Sequence, residues 1–191
     1  MFIKSIKRFT GLLCFVLFTA NSAFAADEYT NALDNFSHAT ETSQYINSAY
    51  GYALFPSVGK AGFVVGGAYG KGRVYKQGTF IGVSKITQAS IGFQFGAQEY
   101  SEIIFFKDKS AYDKFIKGNF ELNAQASAIV VNLGASAQAG TTGNSAGAGQ
   151  SGGAQTSVGS YVNGMSIYII PKVGFMVEAS VAGQSFTFEP K

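Results

Sequence analysis

Between Gly59 and Gly72 the stretch GKAGFVVGGAYGKG sets six glycines and two lysines in fourteen positions. Glycine at that density belongs to a phosphate-cradling loop or to closely packed sheet, and the two lead to different folds. A P-loop needs glycine, four residues, then Gly-Lys-Ser/Thr; here Gly70-Lys71 is followed by Gly72, and Val65 stands where the first glycine is required. A dinucleotide fingerprint running on from Gly70 and Gly72 needs glycine at position 75, which is Tyr75. Both loops also need a helix to follow, so that its first amides face the phosphate. The following RVYKQGTFIGVS reads instead as strand, turn and strand. The glycines therefore serve close packing, bulges or a tight bend in a curved sheet.

The rest of the chain agrees. Its 191 residues suit one well-cored domain, and 18 Phe, 10 Tyr and 24 Gly without a Trp favour short strands and turns over a helical bundle. Ile91, Phe93 and Phe95 alternate with small or polar residues, as do Phe186 and Phe188, so both stretches predict half-buried strands. The runs EIIFFK and SIYII predict central ones. Ahead of them, Tyr29, Leu33, Phe36 and then Tyr45, Ile46, Ala49 and Tyr50 recur at three and four, the period of two helices or of one broken near Thr40. Asp27 and Thr42 are candidate N-caps, and Pro56 ends any helical continuation. A further short helix is expected from Ser110 to Lys117, capped by Ser110 with Asp113 and closed by Gly118. Gly140 to Thr156 offers nothing apolar to bury and reads as a flexible loop. The expected fold class is α+β: a mainly antiparallel, curved, barrel-like sheet with N-terminal helices and one inserted short helix.

Residues 1–25 read as a secretory signal. Lys4, Lys7 and Arg8 form a basic start, Gly11 to Phe18 an apolar core, and Ala23-Phe24-Ala25 a small-x-small cleavage site. Gly11-Leu12-Leu13 ahead of Cys14 is not a lipoprotein signal, and Cys14 is the sole cysteine. The expectation is an exported chain, periplasmic or held peripherally on the envelope membranes, with a single domain over 26–191 and no disulfide. Without Lys4, Lys7 and Arg8 the chain carries eleven cations and eleven acids, so its overall basicity says nothing about nucleic acid. The distribution is uneven: from Ser43 to Ala97 there is no acid, only Lys60, Lys71, Arg73, Lys76 and Lys85.

Little in the chain supports catalysis. His38 is the one histidine, and with no cysteine in the mature chain Cys/His zinc sites and Cys–His nucleophile pairs are excluded. No Gly-x-Ser-x-Gly element accompanies a serine. Glu99 and Glu102, three apart on an expected strand, face opposite ways and do not make a carboxylate pair. Neither enzyme activity nor a cofactor nor a metal is expected.

The segments AYGYALFPSVGKAGFVVGGAYGKGRVY, GFQFGAQEYSEIIFFKDKSAYDKF and GFMVEASVAGQSF together resemble the SYLF domain family, also called the Ysc84 actin-binding family, over about Ala32 to Phe188. The series Pro56, Val58, Lys60, Gly62, Phe63, Gly66, Gly67, Gly70 and Gly72 is the most specific part. Two family elements are altered, a Trp-Ser-x-Pro that is Phe80, Ile81, Gly82, Val83 here, and a Ser-Leu-Glu-Gly that is Ser180, Val181, Ala182, Gly183. The resemblance implies a lipid-binding module of the exported bacterial type, whose partner is an anionic phospholipid or membrane surface; export argues against actin. On this reading Lys60, Lys71, Arg73, Lys76 and Lys85 meet lipid head groups, against the alternative of a merely solvated face. Tyr29, Leu33 and Phe36 form either a membrane-contact helix or a helix packed over an open sheet. A small outer-membrane β-barrel is the competing class. The signal is checked by intact mass: the exported protein should begin at Ala26, and a mass retaining residues 1–25, or acyl chains on Cys14, would overturn the localisation.

Overall fold

The computed structural model describes residues 28–62, 65–91, 96–118, 120–122, 130–133, 161–174 and 183–191. The signal, Asp27, Phe93, Phe95 and Gly140 to Thr156 lie outside them. Eight strands form one sheet: β1 (Gly51–Gly62), β2 (Val65–Lys76), β3 (Thr79–Ile91), β4 (Gly96–Phe106), β5 (Phe120–Glu121), β6 (Val130–Asn132), β7 (Met165–Gly174) and β8 (Gln184–Pro190). Their order is β5-β8-β3-β2-β1-β4-β7-β6, and every pairing is antiparallel except β6 with β7. The helices are α1 (28–38), α2 (Thr40–Ser48) and α3 (Lys109–Ile116). The α+β class holds, with the sheet curled strongly into a half-barrel. The curl is visible in one side chain. Gln184 on β8 donates to Tyr100 Oη and Glu102 Oε2 on β4, 3.0 Å each, although β3, β2 and β1 lie between those strands in the sheet.

Local chemistry accounts for the boundaries. Gln77 and Gly78 join β2 to β3 with φ of 48° and 76°, the doubly left-handed pair of a type I′ hairpin turn. The helix break falls at Ala39, and Thr42 is not a cap: it is buried, and its hydroxyl donates to the Phe36 carbonyl, tying α2 to the end of α1. Asp108 rather than Ser110 caps α3, accepting the Ala111 amide at 2.9 Å. Gly118, at φ 77°, follows its end. The EIIFFK run is central, lying in β4 between β1 and β7.

The sheet begins at Gly51 and runs through Pro56. Pro56 lies inside β1, where a residue without an amide cannot serve the ladder, and the pairing slips there against both neighbours, between Leu54 and Ser57 facing β2 and between Phe55 and Val58 facing β4. This bulge exchanges the two faces of β1. Before it, Ala53 and Phe55 point into the curl; after it, Val58 and Lys60 do.

Each face has its own core. Inside the curl, Phe55, Val58, Val74, Ile86, Ile104, Phe106, Ile167 and Phe186 pack together, and α3 adds Phe115, 4.9 Å from the Phe106 ring and 5.2 Å from that of Phe186. Outside it, α1 and α2 cover Tyr52, Leu54, Ile103, Phe105 and Tyr168 with Phe36 and Tyr45. Gly72 occupies a tight point of the inner core, where a Cβ would fall on the Phe55 ring and 2.7 Å from the Leu54 carbonyl oxygen. Gly72→Val should therefore cost about 1–3 kcal/mol, seen as a lower denaturant midpoint with an unchanged slope.

Candidate functional site

Helices α1 and α2 cover only part of the outer face. Beyond them the same face carries a charged band. Lys85, Lys71 and Ser57 are successive register partners across β3, β2 and β1, and Ser57 Oγ donates to Glu99 Oε1 on β4 at 2.9 Å. Lys172 donates to the same carboxylate at 3.2 Å and lies 3.9 Å from Glu28 on α1. These two donors hold the Glu99 carboxyl below its ordinary pKa, the Ser57 hydrogen bond first and Lys172 next. Tyr29 at the start of α1 donates to the Lys71 carbonyl at 3.3 Å, and the Arg73 guanidinium lies 4.1 Å from its ring centre.

Past this band no described residue covers the outer face. Val65 is 70% exposed, Tyr69 50% and Val173 72%, and Gly59, Ala61, Ala89 and Ala97 beside them are exposed as well. Over Gly59, Ala61, Gly67 and Ala97, between Tyr69 and Val173, runs a groove of about 630 Å3.

The inner face behind this bare region is polar. Gln184, Gln88, Ala68, Lys60 and Gln98 are register partners in one row across β8, β3, β2, β1 and β4, and all are buried. At this end of the sheet, then, polar side chains face in and apolar or small ones face water, the reverse of the arrangement over α1 and α2. Deeper inside, Glu102 is wholly buried beside Phe55 and Ile169, with Oε2 bonded to Gln184 and Oε1 without a partner among the described residues. Burial raises its pKa to about 7, against the opposing Gln184 hydrogen bond.

The five cations singled out in the sequence do not share a surface. Lys71, Arg73 and Lys85 are on the outer face, Lys71 exposed, Arg73 under Tyr29 and Lys85 bonded to Glu189 at 2.6 Å. Lys60 is buried inside the curl, and Lys76 sits 5.5 Å from the Tyr50 ring at the far end of β2. Tyr29, Leu33 and Phe36 all pack on the outer core, Phe36 completely buried, so α1 lies on the sheet. His38 is exposed, with Nδ1 2.8 Å from the Asp34 carbonyl oxygen one turn earlier. Glu99 and Glu102 face opposite sides, as their spacing required. Val65, Tyr69, Val173 and Lys172 escape a reading of the sequence, because their exposure follows from where α1 stops and, for Val173 and Lys172, from a slip between β4 and β7 at Glu99/Tyr100. Among the described residues no helix is long and apolar enough to cross a membrane, and no group of three or more His, Cys, Asp or Glu could hold a metal.

The family description "Ysc84: Las17-binding protein actin regulator" matches residues 87–190. The chain belongs to the Ysc84 family. No curated protein and no solved structure matches it. The Ysc84 match runs from the second half of β3 to the end of β8 and takes in Glu99, Glu102, Val173 and Gln184, while Gly59 to Arg73 precede it.

Glu102 is expected to make the stability of this chain depend on pH. Its native pKa lies above the ordinary glutamate value near 4.5, so between about pH 4.5 and 7 the native state binds more protons than the unfolded state and stability falls as pH rises. Glu102→Gln keeps an oxygen for Gln184 and removes the charge. It should raise stability at pH 8 by on the order of 3 kcal/mol and flatten this part of the profile, as read by denaturant midpoints across pH; an unchanged profile would show that Glu102 does not titrate in that range.

Proposed function

We propose that this protein is a non-enzymatic lipid-binding domain of the bacterial envelope, and that it docks on membrane surfaces through the bare outer half of its sheet. One observation carries the reading: Val65, Tyr69 and Val173 are exposed together on the face that also presents Lys71. Contiguous exposed apolar surface rimmed by charge marks an interaction site. A tyrosine next to a lysine band matches the depth order of a bilayer interface, with hydrocarbon below and head groups above.

Magnitudes put the apolar part first. Burying two valines stabilises the docked state by about 3 kcal/mol or more. A lysine near an anionic surface adds about 1 kcal/mol, and Lys71 has no acid within 4 Å among the described residues, whereas Lys85 and Lys172 are already paired. The anionic preference therefore rests on Lys71, with Lys85 beside it, rather than on five cations. Helix α1 packs on the same outer face beside the exposed region, and Lys60 serves the interior. The export signal supports an envelope membrane over actin as the partner.

Liposome co-sedimentation tests this. Val65→Asp with Val173→Asp should weaken binding by about a hundredfold. Lys71→Glu should weaken binding to anionic vesicles several-fold and reduce its salt dependence. The circular dichroism spectrum should stay unchanged in each variant. If the double aspartate variant sediments as wild type does, the bare face is not the docking surface.

A further inference from the structure

The groove over Gly59 has a definite shape and chemistry. Its floor is the backbone of β1 and its neighbours, because Gly59, Ala61, Gly67 and Ala97 put almost no side chain over it. That backbone is committed to the β1–β2 and β1–β4 ladders, so it offers an incoming polar group little to bond. Its walls are Tyr69 and Val173, with Glu99 between Gly59 and Val173 in the same row. Glycine is not required at position 59 by crowding: a Cβ there would meet nothing within 4 Å, in contrast to Gly62, Gly70 and Gly72 of the same stretch, whose Cβ atoms would collide with neighbours. Gly59 thus leaves space that the sheet itself does not need.

We infer that this groove holds a single alkyl chain of a membrane lipid, a role that rests on the docking reading above and sharpens it. A hydrocarbon chain matches a floor without free hydrogen-bonding groups, whereas an added peptide strand needs an open sheet edge and this is a sheet face. Charge is arranged to suit the lipid end of such a chain. Glu99, at the charged side of the groove, is occupied by Ser57 and Lys172, and exposed Lys71 on the adjoining rung is left for a phosphate. The lipid keeps its head group at the charged band while its chain lies along the bare sheet.

The test uses lysophosphatidylglycerol below its micelle concentration, with stoichiometry read by native mass spectrometry and affinity by calorimetry. Wild type should bind one molecule. Gly59→Leu, which fills the groove, should lose at least tenfold in affinity with its denaturation midpoint unchanged, and Ala61→Leu should do the same from the other end. Both variants should still sediment with vesicles through Val65, Val173 and Lys71. Equal affinity of wild type and Gly59→Leu, competition by glycerophosphoglycerol as effective as by the lysolipid, or a wild-type dimer abolished by Gly59→Leu would each overturn the proposal. Failure of the docking reading appears separately, as vesicle binding indifferent to Val65→Asp with Val173→Asp.

Discussion

The Pro56–Ser57 bulge decides which way the middle of this sheet faces. β1 is a central strand, bonded to β2 on one side and β4 on the other, and a residue without an amide at its midpoint forces both ladders to slip by one. Ser101 closes the gap by donating to the Pro56 carbonyl at 2.6 Å. Because side chains alternate strictly along a strand, one extra residue reverses everything beyond it. Lys60 is carried inside, Gly59 and Ala61 are carried outside, and Ser57 is placed where it reaches Glu99. Without the slip, Lys60 would share a face with Leu54, and the groove would have no floor of small residues.

Two regimes of packing result along one sheet. Toward the start of β1 both faces are covered, by α1 and α2 outside and by α3 with Phe186 inside, and the hydrophobic effect alone explains the residue choice. Toward the start of β2 the exterior is bare and the interior holds a buried row of Lys60, Gln88, Gln98 and Gln184. Burying such groups is costly unless they are bonded, and Gln184 shows how the cost is limited: its amide hydrogens are both used, on Tyr100 and Glu102. This inside-out tip is the feature on which the proposed docking to a lipid surface rests.

Much of this was legible in the residues themselves. The hairpin turn at Gln77-Gly78, the central place of EIIFFK, the opposed faces of Glu99 and Glu102 and the α+β class all follow from short-range periodicity and turn chemistry. The cap of α3 was read two residues late, since Ser110 and Asp113 imitate a capping box while Asp108 holds the geometry. The cations were harder. Five of them in an acid-free stretch look like one patch, but a charge excess along the chain becomes a surface only through strand parity, and parity here depends on a bulge that Pro56 permits without announcing. The exposure of Val65 and Val173 depends on where α1 ends over the sheet, a tertiary fact without local signature.

The clasp from Gln184 to Tyr100 and Glu102 also bears on when the molecule can form. β8 joins β3 across about a hundred residues of chain, as in the Ser84 hydroxyl bond to the Thr187 carbonyl, so the ring of contacts closes only after the last strand has arrived. Until then Phe55, Ile86 and Tyr100 lack their cover from Phe186 and Gln184. Pairings at such separation carry a large closure entropy and form slowly. Until β8 docks, the chain is an open sheet whose inner core lacks one wall, so its last strand decides when the molecule is complete.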